Sequence, residues 1–558
     1  MNVSSLLEEA KVVFGKTTDF VDVQLMAFKP WEIVSITVVT LVLTHLVYNF
    51  VFDHEKSLSQ RLKLGFFYYV KRFPIIRSIV EDKMKPVLHE VSATKLFPLK
   101  PGMTYKNVMP YVGKSHTSIL REVDEYLSLD TVDWSKGNVS GTVYGGDPDL
   151  TLVASTMYHK FAWSNPLHPD VFPSLRKMEA EVVRMTCSLF NGDPNASCGF
   201  VTTGGTESIL LACKTYRDWA YSKGIKKPEM VIPISAHAAF EKGAAYFKIK
   251  LKHVPVDPTT RKVDLHAMKQ AINKNTCMLV GSTPQFPHGV LDPIADIAAL
   301  GKRYGVPVHV DACLGGFLLP FMGEAGFPIQ PCDFSVPGVT SISADTHKYG
   351  CAPKGSSVIM YKSTEFAHHQ YFVSPDWQGG IYATPMFAGS RSGAIVAACW
   401  GTMVHIGREG YISNTRKIIS TARTIENGLA QMNNLFVFGK PEMSVIAFGS
   451  MDFDIFRLSG ELTNKGWNLN TLQFPPSIHL CCTMPHTKPG VADRFLSDVN
   501  DAVNTIMQSP KSKPAGAGAI YGMAQSIPDR TIVSSIAHGF LDALYDTTPF
   551  ARGENGKA

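Results

Sequence analysis

The octapeptide SADTHKYG, residues 343–350, contains the residue on which the interpretation of the chain depends, Lys348. A lysine that follows a histidine after a run of small residues suits an amine that condenses with an aldehyde cofactor. The pattern alone is weak, because most His-Lys pairs lie on solvated surface. It becomes specific only if the chain also supplies a phosphate-binding turn, an acid for a ring nitrogen and a group that stacks on the ring.

Short β-rich segments alternate with helical patterns around this octapeptide. Strands are predicted at 230–234, 277–281, 306–311 and 356–361. Such alternation favours a doubly wound α/β domain with a mostly parallel sheet. Sheets of this kind bind ligands at the carboxyl ends of their strands. Candidate site residues should therefore follow the strands directly.

The helix after the 277–281 strand has clear start and stop signals. Asp292 is expected at its N-cap and Pro293 at its first helical position. Gly305 is expected to end it. The next predicted strand begins immediately afterwards.

A phosphate-binding turn is predicted at TTGGTE, residues 202–207, ahead of a helical pattern. Glycines let backbone amides approach an anion, and a helix N-terminus adds its dipole. Gly204, Gly205 and Thr206 are the candidate ligands of the phosphate. The alternative is an ordinary Gly-Gly turn before a helix.

Two further polar residues follow predicted strands. Asp311 ends an apolar strand, where its carboxylate could keep a pyridine nitrogen protonated; a helix cap is the alternative. His237 lies among small residues, which leave room for its ring to lie flat on a cofactor; a core or capping histidine is the alternative.

In chain order these elements are a phosphate-binding turn, a ring-stacking histidine, a ring acid and a lysine. Each follows a strand, so all should meet at one edge of the sheet. The joint arrangement predicts pyridoxal 5'-phosphate as cofactor, with Lys348 as its Schiff-base lysine.

Composition limits the other possibilities. The chain has 558 residues, 45% of them hydrophobic and 18% charged, with a net charge of +6. This length exceeds one ordinary domain. No basic block with interleaved aromatic residues occurs, so nucleic acid is not an expected partner.

The ten cysteines show no C-x-x-C and no paired metal-ligand spacing, so neither a metal site nor a disulfide framework is expected. Buried thiols in a reducing compartment are expected instead.

Residues 33–52 contain no Asp, Glu, Lys or Arg and would span about 30 Å as a helix, the thickness of a bilayer core. They predict a transmembrane helix. A signal peptide is less favoured, because no small-residue cleavage site follows. A buried core helix is the other alternative.

Flanking charge predicts the orientation of this segment. Three lysines precede it and six Lys or Arg residues lie between 56 and 77, so the C-terminal part should be cytosolic. The Asn2 sequon would then be lumenal. Residues 56–90 mix cations with apolar side chains, and predict either a helix on the membrane surface or a linker that packs on the catalytic region.

These motifs, together with NPLH at 165–168 and GSRSG at 389–393, resemble those of the sphingosine-1-phosphate lyases. That family comprises fold-type I pyridoxal phosphate enzymes related to the group II decarboxylases. The resemblance covers essentially the whole chain, including the N-terminal anchor. Ser392 departs from the family pattern, where proline is expected.

The resemblance implies a role for each matching residue. Lys348 would be the catalytic lysine, and His347 would bind the cofactor phosphate together with the glycine turn. Asp311 would pair with the ring nitrogen and His237 would stack on the ring. The substrate phosphate would be held by Tyr144, Asn165, His168 and Lys354.

The resemblance also implies a fold-type I transferase fold with a homodimer that shares its active sites. Gly379–Gly380 and Ser390–Arg391 are candidates for residues that reach into the partner's site. The expected organisation is a lumenal N-terminus (1–32), the transmembrane helix (33–52), the linker (53–115), an N-terminal catalytic segment (116–165), a large cofactor-binding domain (166–392), a small C-terminal α+β domain (393–545) and a tail (546–558).

The implied reaction is retro-aldol cleavage of the C2–C3 bond of a phosphorylated sphingoid base, at the endoplasmic reticulum membrane. The products would be a long-chain aldehyde and phosphoethanolamine. The base that takes the C3 hydroxyl proton is open between a histidine, a phosphate group and Lys348. Two alternatives remain, an amino-acid decarboxylase on the same fold and an inactive membrane-anchored scaffold.

Overall fold

The computed structural model describes residues 28–51, 58–514, 527 and 529–548. The chain divides into two compact units, residues 1–77 and 78–558. Helices α1 (Pro30–Val51) and α2 (Leu58–Val70) belong to the first unit, and α3 (Pro74–Glu90) begins in it. The predicted lumenal segment 1–27, with its Asn2 sequon, and the end of the tail, 549–558, lie outside the described residues.

Residues 33–51 are helical, as predicted, but the predicted membrane span is not supported. Within the described ranges, no helix combines the length and the apolar character needed to cross a membrane. Phe52, the last residue of the predicted span, is not among the described residues.

The helices of the second unit that the structure describes are α4 (Ala93–Leu96), α5 (His116–Leu127), α6 (Pro148–Phe161), α7 (Pro173–Leu189), α8 (Gly205–Ser222), α9 (Ala239–Phe247), α10 (Leu265–Ala271), α11 (Ile294–Tyr304), α12 (Thr364–His368), α13 (Gly393–Ala430), α14 (Ile455–Asn464), α15 (Val491–Met507) and α16 (Arg530–Ala543). Val87 and Val91, near the end of α3, form a small apolar cluster with Ile536 of α16. This part of the predicted linker therefore packs on the C-terminal region of its own chain.

The strands are β1 (Cys198–Thr202), β2 (Glu229–Pro233), β3 (Lys250–Val254), β4 (Thr276–Ser282), β5 (Val308–Ala312), β6 (Val339–Ala344), β7 (Ser357–Tyr361), β8 (Phe372–Ser374), β9 (Tyr382–Thr384), β10 (Phe436–Val437), β11 (Val445–Gly449), β12 (Asn470–Leu472) and β13 (Ser477–Cys481). The first seven form one sheet in the order β1-β7-β6-β5-β4-β2-β3. The pairs among β6, β5, β4, β2 and β3 are parallel, and β7 runs antiparallel to both of its neighbours. The mostly parallel sheet and the four predicted strands are confirmed.

Both faces of the large sheet are covered. On β4, Leu279 belongs to one buried cluster, which also contains Ile297 of α11. Its neighbours in the strand, Met278 and Val280, belong to a second cluster, which contains Ile209 of α8. Because successive side chains of a strand point to opposite faces, apolar residues at consecutive positions are what a doubly covered sheet requires.

The predicted role of Asp292 as a helix cap is wrong, although Gly305 does end α11 with a left-handed φ of 66°. The helix begins at Ile294, and the fully buried Asp292 carboxylate accepts hydrogen bonds from Ser282 N (2.9 Å) and Val263 N (3.4 Å). Burial raises the pKa of Asp292 to about 7. The Asp292 carboxylate therefore binds backbone N–H groups of Ser282 and Val263 rather than those at the start of α11.

The C-terminal part of the second unit contains a four-stranded antiparallel sheet, in the order β10-β11-β13-β12, with α14 and α15 beside it. Helix α13 leads into this part and contacts β10 and β11. It breaks at Gly407, whose φ of 62° favours glycine. The boundary at 392/393 stays a prediction, since residues 78–558 form one compact unit.

Candidate active site

The phosphate-binding turn forms where predicted, between β1 and α8. The Glu207 carboxylate closes it by accepting hydrogen bonds from the backbone N–H and the hydroxyl of Thr203, both at 2.7 Å. A Cβ on Gly205 would lie 2.7 Å from Asp345 Oδ1 and 2.8 Å from Cys313 Sγ. Only glycine therefore leaves this cradle open to an anion at the start of α8.

Lys348 follows β6 and reaches the same edge of the sheet. Its Nζ lies 3.0 Å from Asp345 Oδ2. Burial alone would lower the pKa of Lys348, but nearby anionic groups, Asp345 foremost, raise it above the ordinary lysine value. The amine is therefore paired with a buried carboxylate.

Asp311 lies at the carboxyl end of the central strand β5, opposite Ser282 of β4 and Ser343 of β6. It is 6% exposed, and its Oδ1 accepts a hydrogen bond from Cys313 N (3.0 Å). The carboxylate thus caps no helix and borders the same cavity as Lys348.

His237 follows β2, and its Nδ1 accepts a hydrogen bond from Ala239 N (3.1 Å). Its ring lies edge-on to Phe286, with the centroids 6.3 Å apart. Phe286 in turn lies edge-on to His479 of the small sheet, at 4.9 Å. Of these three rings, those of His237 and Phe286 line the cavity.

All seven predicted cofactor-binding residues line one cavity of about 330 Å³: Gly204, Gly205, Thr206, His237, Asp311, His347 and Lys348. Two buried polar atoms at this cavity, Asp345 Oδ1 and His347 Nδ1, have no hydrogen-bond partner among the described residues. An open glycine cradle, a carboxylate at a strand end and a lysine together fit pyridoxal phosphate. His347 and the cradle would hold its phosphate, and Asp311 its ring nitrogen.

A second cleft of about 490 Å³ adjoins this cavity and shares His347 with it. Tyr144 and Lys354 line it, with Lys354 Nζ 4.8 Å from the centre of the Tyr144 ring. Lys354 Nζ also donates to the His347 carbonyl (3.2 Å). Burial, followed by the charge of Lys348, lowers the pKa of Lys354.

The structure does not bring the other two predicted substrate residues into these cavities. Asn165 Nδ2 donates to Ser390 Oγ (3.0 Å), and Asn165 Oδ1 accepts from Arg391 N (3.2 Å). His168 is exposed and lines neither cavity. Both residues were chosen from the resemblance alone, and their role as phosphate ligands stays a prediction.

The guanidinium of Arg391 is bound within its own chain. It forms a bidentate ion pair with Glu179, with Nη2 to Oε2 at 3.1 Å, and also donates to the Val201 carbonyl (3.3 Å). Both side chains are largely buried. Arg391 therefore fixes the start of α13 to α7 and β1.

Sequence reasoning missed Asp345 and the contacts of Tyr349. Tyr349 is fully buried, and its hydroxyl lies 2.6 Å from both the Cys482 carbonyl and Ser444 Oγ of the small sheet region. Its ring lies edge-on to Tyr144 at 4.9 Å. The only signal for Asp345 was its place three residues before Lys348.

Comparison with known proteins defines the class first. Residues 104–451 match the pyridoxal-dependent decarboxylase conserved domain. Glutamate decarboxylase from Lactobacillus brevis has a similar fold, with a TM-score of 0.64 at 20% identity over 76% of this chain and 99% of that one. The fold and the cavity are thus those of a pyridoxal phosphate enzyme of the decarboxylase-like class.

More similar proteins identify the family within this class. The chain is 51% identical to mouse sphingosine-1-phosphate lyase 1, covering 96% of this chain and 94% of that protein. It is 49% identical to the Drosophila melanogaster sphingosine-1-phosphate lyase, covering 93% and 95%. The structure of Burkholderia pseudomallei sphingosine-1-phosphate lyase matches with a TM-score of 0.73 at 38% identity, covering 81% of this chain and all of that one. The chain belongs to the sphingosine-1-phosphate lyase family.

Proposed function

We propose that this chain uses pyridoxal phosphate to cleave the C2–C3 bond of phosphorylated sphingoid bases, such as sphingosine 1-phosphate and dihydrosphingosine 1-phosphate. The products are a long-chain aldehyde and phosphoethanolamine. The observation that carries the proposal is the single cavity that gathers the cradle, Asp311 and Lys348, next to a cleft with a cation.

Each residue of the cavity has a role that follows from its position. Lys348 would hold the cofactor at its aldehyde carbon, and Asp311 would stabilise positive charge on its ring nitrogen. His237 bounds one face of the ring. When bound, the cofactor withdraws electrons from the substrate carbon that bears the amine, which weakens the adjacent carbon–carbon bond.

Lys354 and Tyr144 supply the contacts for the substrate phosphate. Lys354 brings a positive charge to a partly buried site, where a charge-assisted hydrogen bond to phosphate is strong. Burial, and next the neighbouring Cys481, raise the pKa of Tyr144 well above its ordinary value, so its hydroxyl keeps its proton and can donate. Both groups favour a phosphorylated amine over a simple amino acid.

Purified protein incubated with sphingosine 1-phosphate should release the long-chain aldehyde, measured by mass spectrometry. Lys348→Ala should lose both the activity and the visible absorption of the bound cofactor. Lys354→Ala should keep that absorption and raise KM by about tenfold or more, as expected for loss of one hydrogen bond to a charged group. Release of CO2 from amino acids without aldehyde formation would identify a decarboxylase, and failure to bind cofactor would identify a scaffold.

We further propose that the protein resides at the endoplasmic reticulum membrane, with a single-pass anchor at 33–52, a lumenal N-terminus and a cytosolic catalytic region. The support is the uncharged segment, its cation-rich C-terminal flank and the exposed apolar side chains along the described part of α1. Carbonate extraction of cell membranes tests the anchor, and protease protection of terminal tags tests the orientation. Release of the intact protein by carbonate would contradict the anchor.

We also propose that the protein is a homodimer with shared active sites. The hairpin β8–β9 and its flanks expose large apolar side chains, including Phe372, Trp377 and Ile381, the last 79% exposed. A patch of this kind is typical of an interaction site. Light scattering should give twice the chain mass, and Ile381→Asp should shift the protein towards monomer and lower activity. A wild-type monomer with full activity would contradict the proposal.

A further inference from the structure

Asp345 is a buried carboxylate at the centre of the site, three residues before Lys348. It is 2% exposed, and its Oδ2 lies 3.0 Å from Lys348 Nζ and 3.5 Å from His347 Nε2. Its Oδ1 is buried without a hydrogen-bond partner among the described residues. A buried carboxylate oxygen without a hydrogen-bond partner destabilises a fold, so the presence of Asp345 at this position indicates a functional role.

The side chain does not serve an evident structural role. The start of α8 is close, because a Cβ on Gly205 would touch both carboxylate oxygens, yet Asp345 Oδ1 accepts no hydrogen bond from the helix. Its side-chain contacts are instead to Lys348 and His347. The carboxylate is therefore directed at the side chains of Lys348 and His347.

The charge around Lys348 comes from several elements. The titratable groups that act on its amine, or are acted on by it, are Asp311, Cys313, Asp345, His347, Lys354 and Cys481. Burial raises the pKa of the Cys313 thiol well above its ordinary value. Of the two carboxylates in this set, Asp311 and Asp345, it is Asp345 that directly contacts the amine.

We propose that Asp345 is a positioning residue whose carboxylate keeps the Lys348 nitrogen protonated, both as the free ammonium and once it is bonded to the cofactor. This inference rests on the cofactor assignment of the proposed function. Asp345 itself forms no covalent bond. When Lys348 joins the aldehyde carbon with loss of one water, the carboxylate only changes how tightly the nitrogen holds its proton.

The physical reason is local charge. An opposite charge within hydrogen-bond distance favours the charged form of a titratable group, by about 1–3 pH units in proteins. A protonated nitrogen makes the attached carbon more electrophilic and therefore easier for the substrate amine to attack. Asp345 thus acts on the lysine end of the cofactor, while Asp311 acts on the ring nitrogen.

The visible absorption of the cofactor-loaded protein reports the protonation of this nitrogen and can be titrated with pH. Asp345→Asn should lower the apparent pKa of the spectral transition by about 1–3 units relative to wild type. Asp345→Glu should restore most of the shift. Asp296→Asn, which removes an exposed acid on α11, is the matched control and should leave the transition unchanged. An unchanged transition in Asp345→Asn overturns the proposal.

A second measurement covers the case in which Asp345→Asn does not fold. In cofactor-free wild-type protein, reductive methylation of Lys348 with formaldehyde, followed by mass spectrometry across pH, gives the pH at which the amine becomes reactive. Reaction only above the range of exposed lysines supports the proposal, and reaction at or below it overturns the proposal. Neither measurement requires lyase activity, so failure of the proposed reaction is distinguishable from failure of this inference.

Discussion

Replacing Gly205 by alanine should weaken cofactor binding through contact with the cradle walls. The new Cβ would lie 2.7 Å and 2.8 Å from the oxygens of Asp345 and 2.8 Å from Cys313 Sγ, whereas real Cβ contacts stay above 3.0 Å. Those atoms belong to buried side chains, so the cradle must move by about 0.3–0.7 Å. Overpacking of this size costs about 1–3 kcal/mol. If the cost falls on the phosphate site, the Kd for the cofactor rises about 5- to 150-fold.

The assay is a titration of cofactor-free full-length protein with pyridoxal phosphate, followed by the absorption of the bound form. Gly323→Ala is the control, because a Cβ there would meet no heavy atom within 4 Å. Thermal unfolding of both variants without cofactor separates a local effect from a global one. A Gly205→Ala protein with wild-type affinity and wild-type stability would refute the assignment of this turn as the phosphate cradle.

Two further predictions concern stability. Tyr349→Phe leaves the Cys482 carbonyl and Ser444 Oγ without a buried partner, which should cost about 2–4 kcal/mol and lower Tm by several degrees, while the exposed Tyr304→Phe should change little. Stability should also fall as the pH is lowered from 6.5 to about 4, because burial lowers the pKa of four histidines from 6.5 to about 4, and the unfolded chain therefore binds protons in this range that the folded chain does not: His288, His309, His479 and His486. Asp292, whose pKa is raised to about 7, has the opposite effect but is a single group. Thermal unfolding measured across this range tests the prediction, and a stability that rises as the pH falls would contradict it.

The cofactor-binding residues could be predicted because the fold itself concentrates them. Gly204, His237 and Lys348 each follow a strand and Asp311 lies at the end of one, and parallel strands have their carboxyl ends at one edge of the sheet. The order of strands in the sheet was not needed for this inference. Each pattern was ambiguous alone, and the shared edge is what made the set specific.

Other features depend on contacts that no local pattern encodes. The residues around Asp292 are typical of a helix N-cap, but its carboxylate accepts hydrogen bonds from the backbone N–H groups of Ser282, in β4, and Val263. The hydroxyl of Tyr349 reaches residues about 95 and 133 positions away in the small sheet region. Asp345 lay inside the quoted octapeptide, yet its pairing with Lys348 follows from the turn after β6 rather than from spacing.

The antiparallel direction of β7 determines when the segment that carries Lys348 loses its conformational entropy. Since β6 ends at Ala344 and β7 begins at Ser357, both ends of the intervening segment 345–356 are fixed at the same edge of the sheet. A parallel β7 would require the chain to cross the length of the sheet before the strand begins. The segment instead returns to the edge that it left, and its loop-closure entropy is lost when the protein folds. Ordering of Lys348 therefore does not reduce the free energy of cofactor and substrate binding.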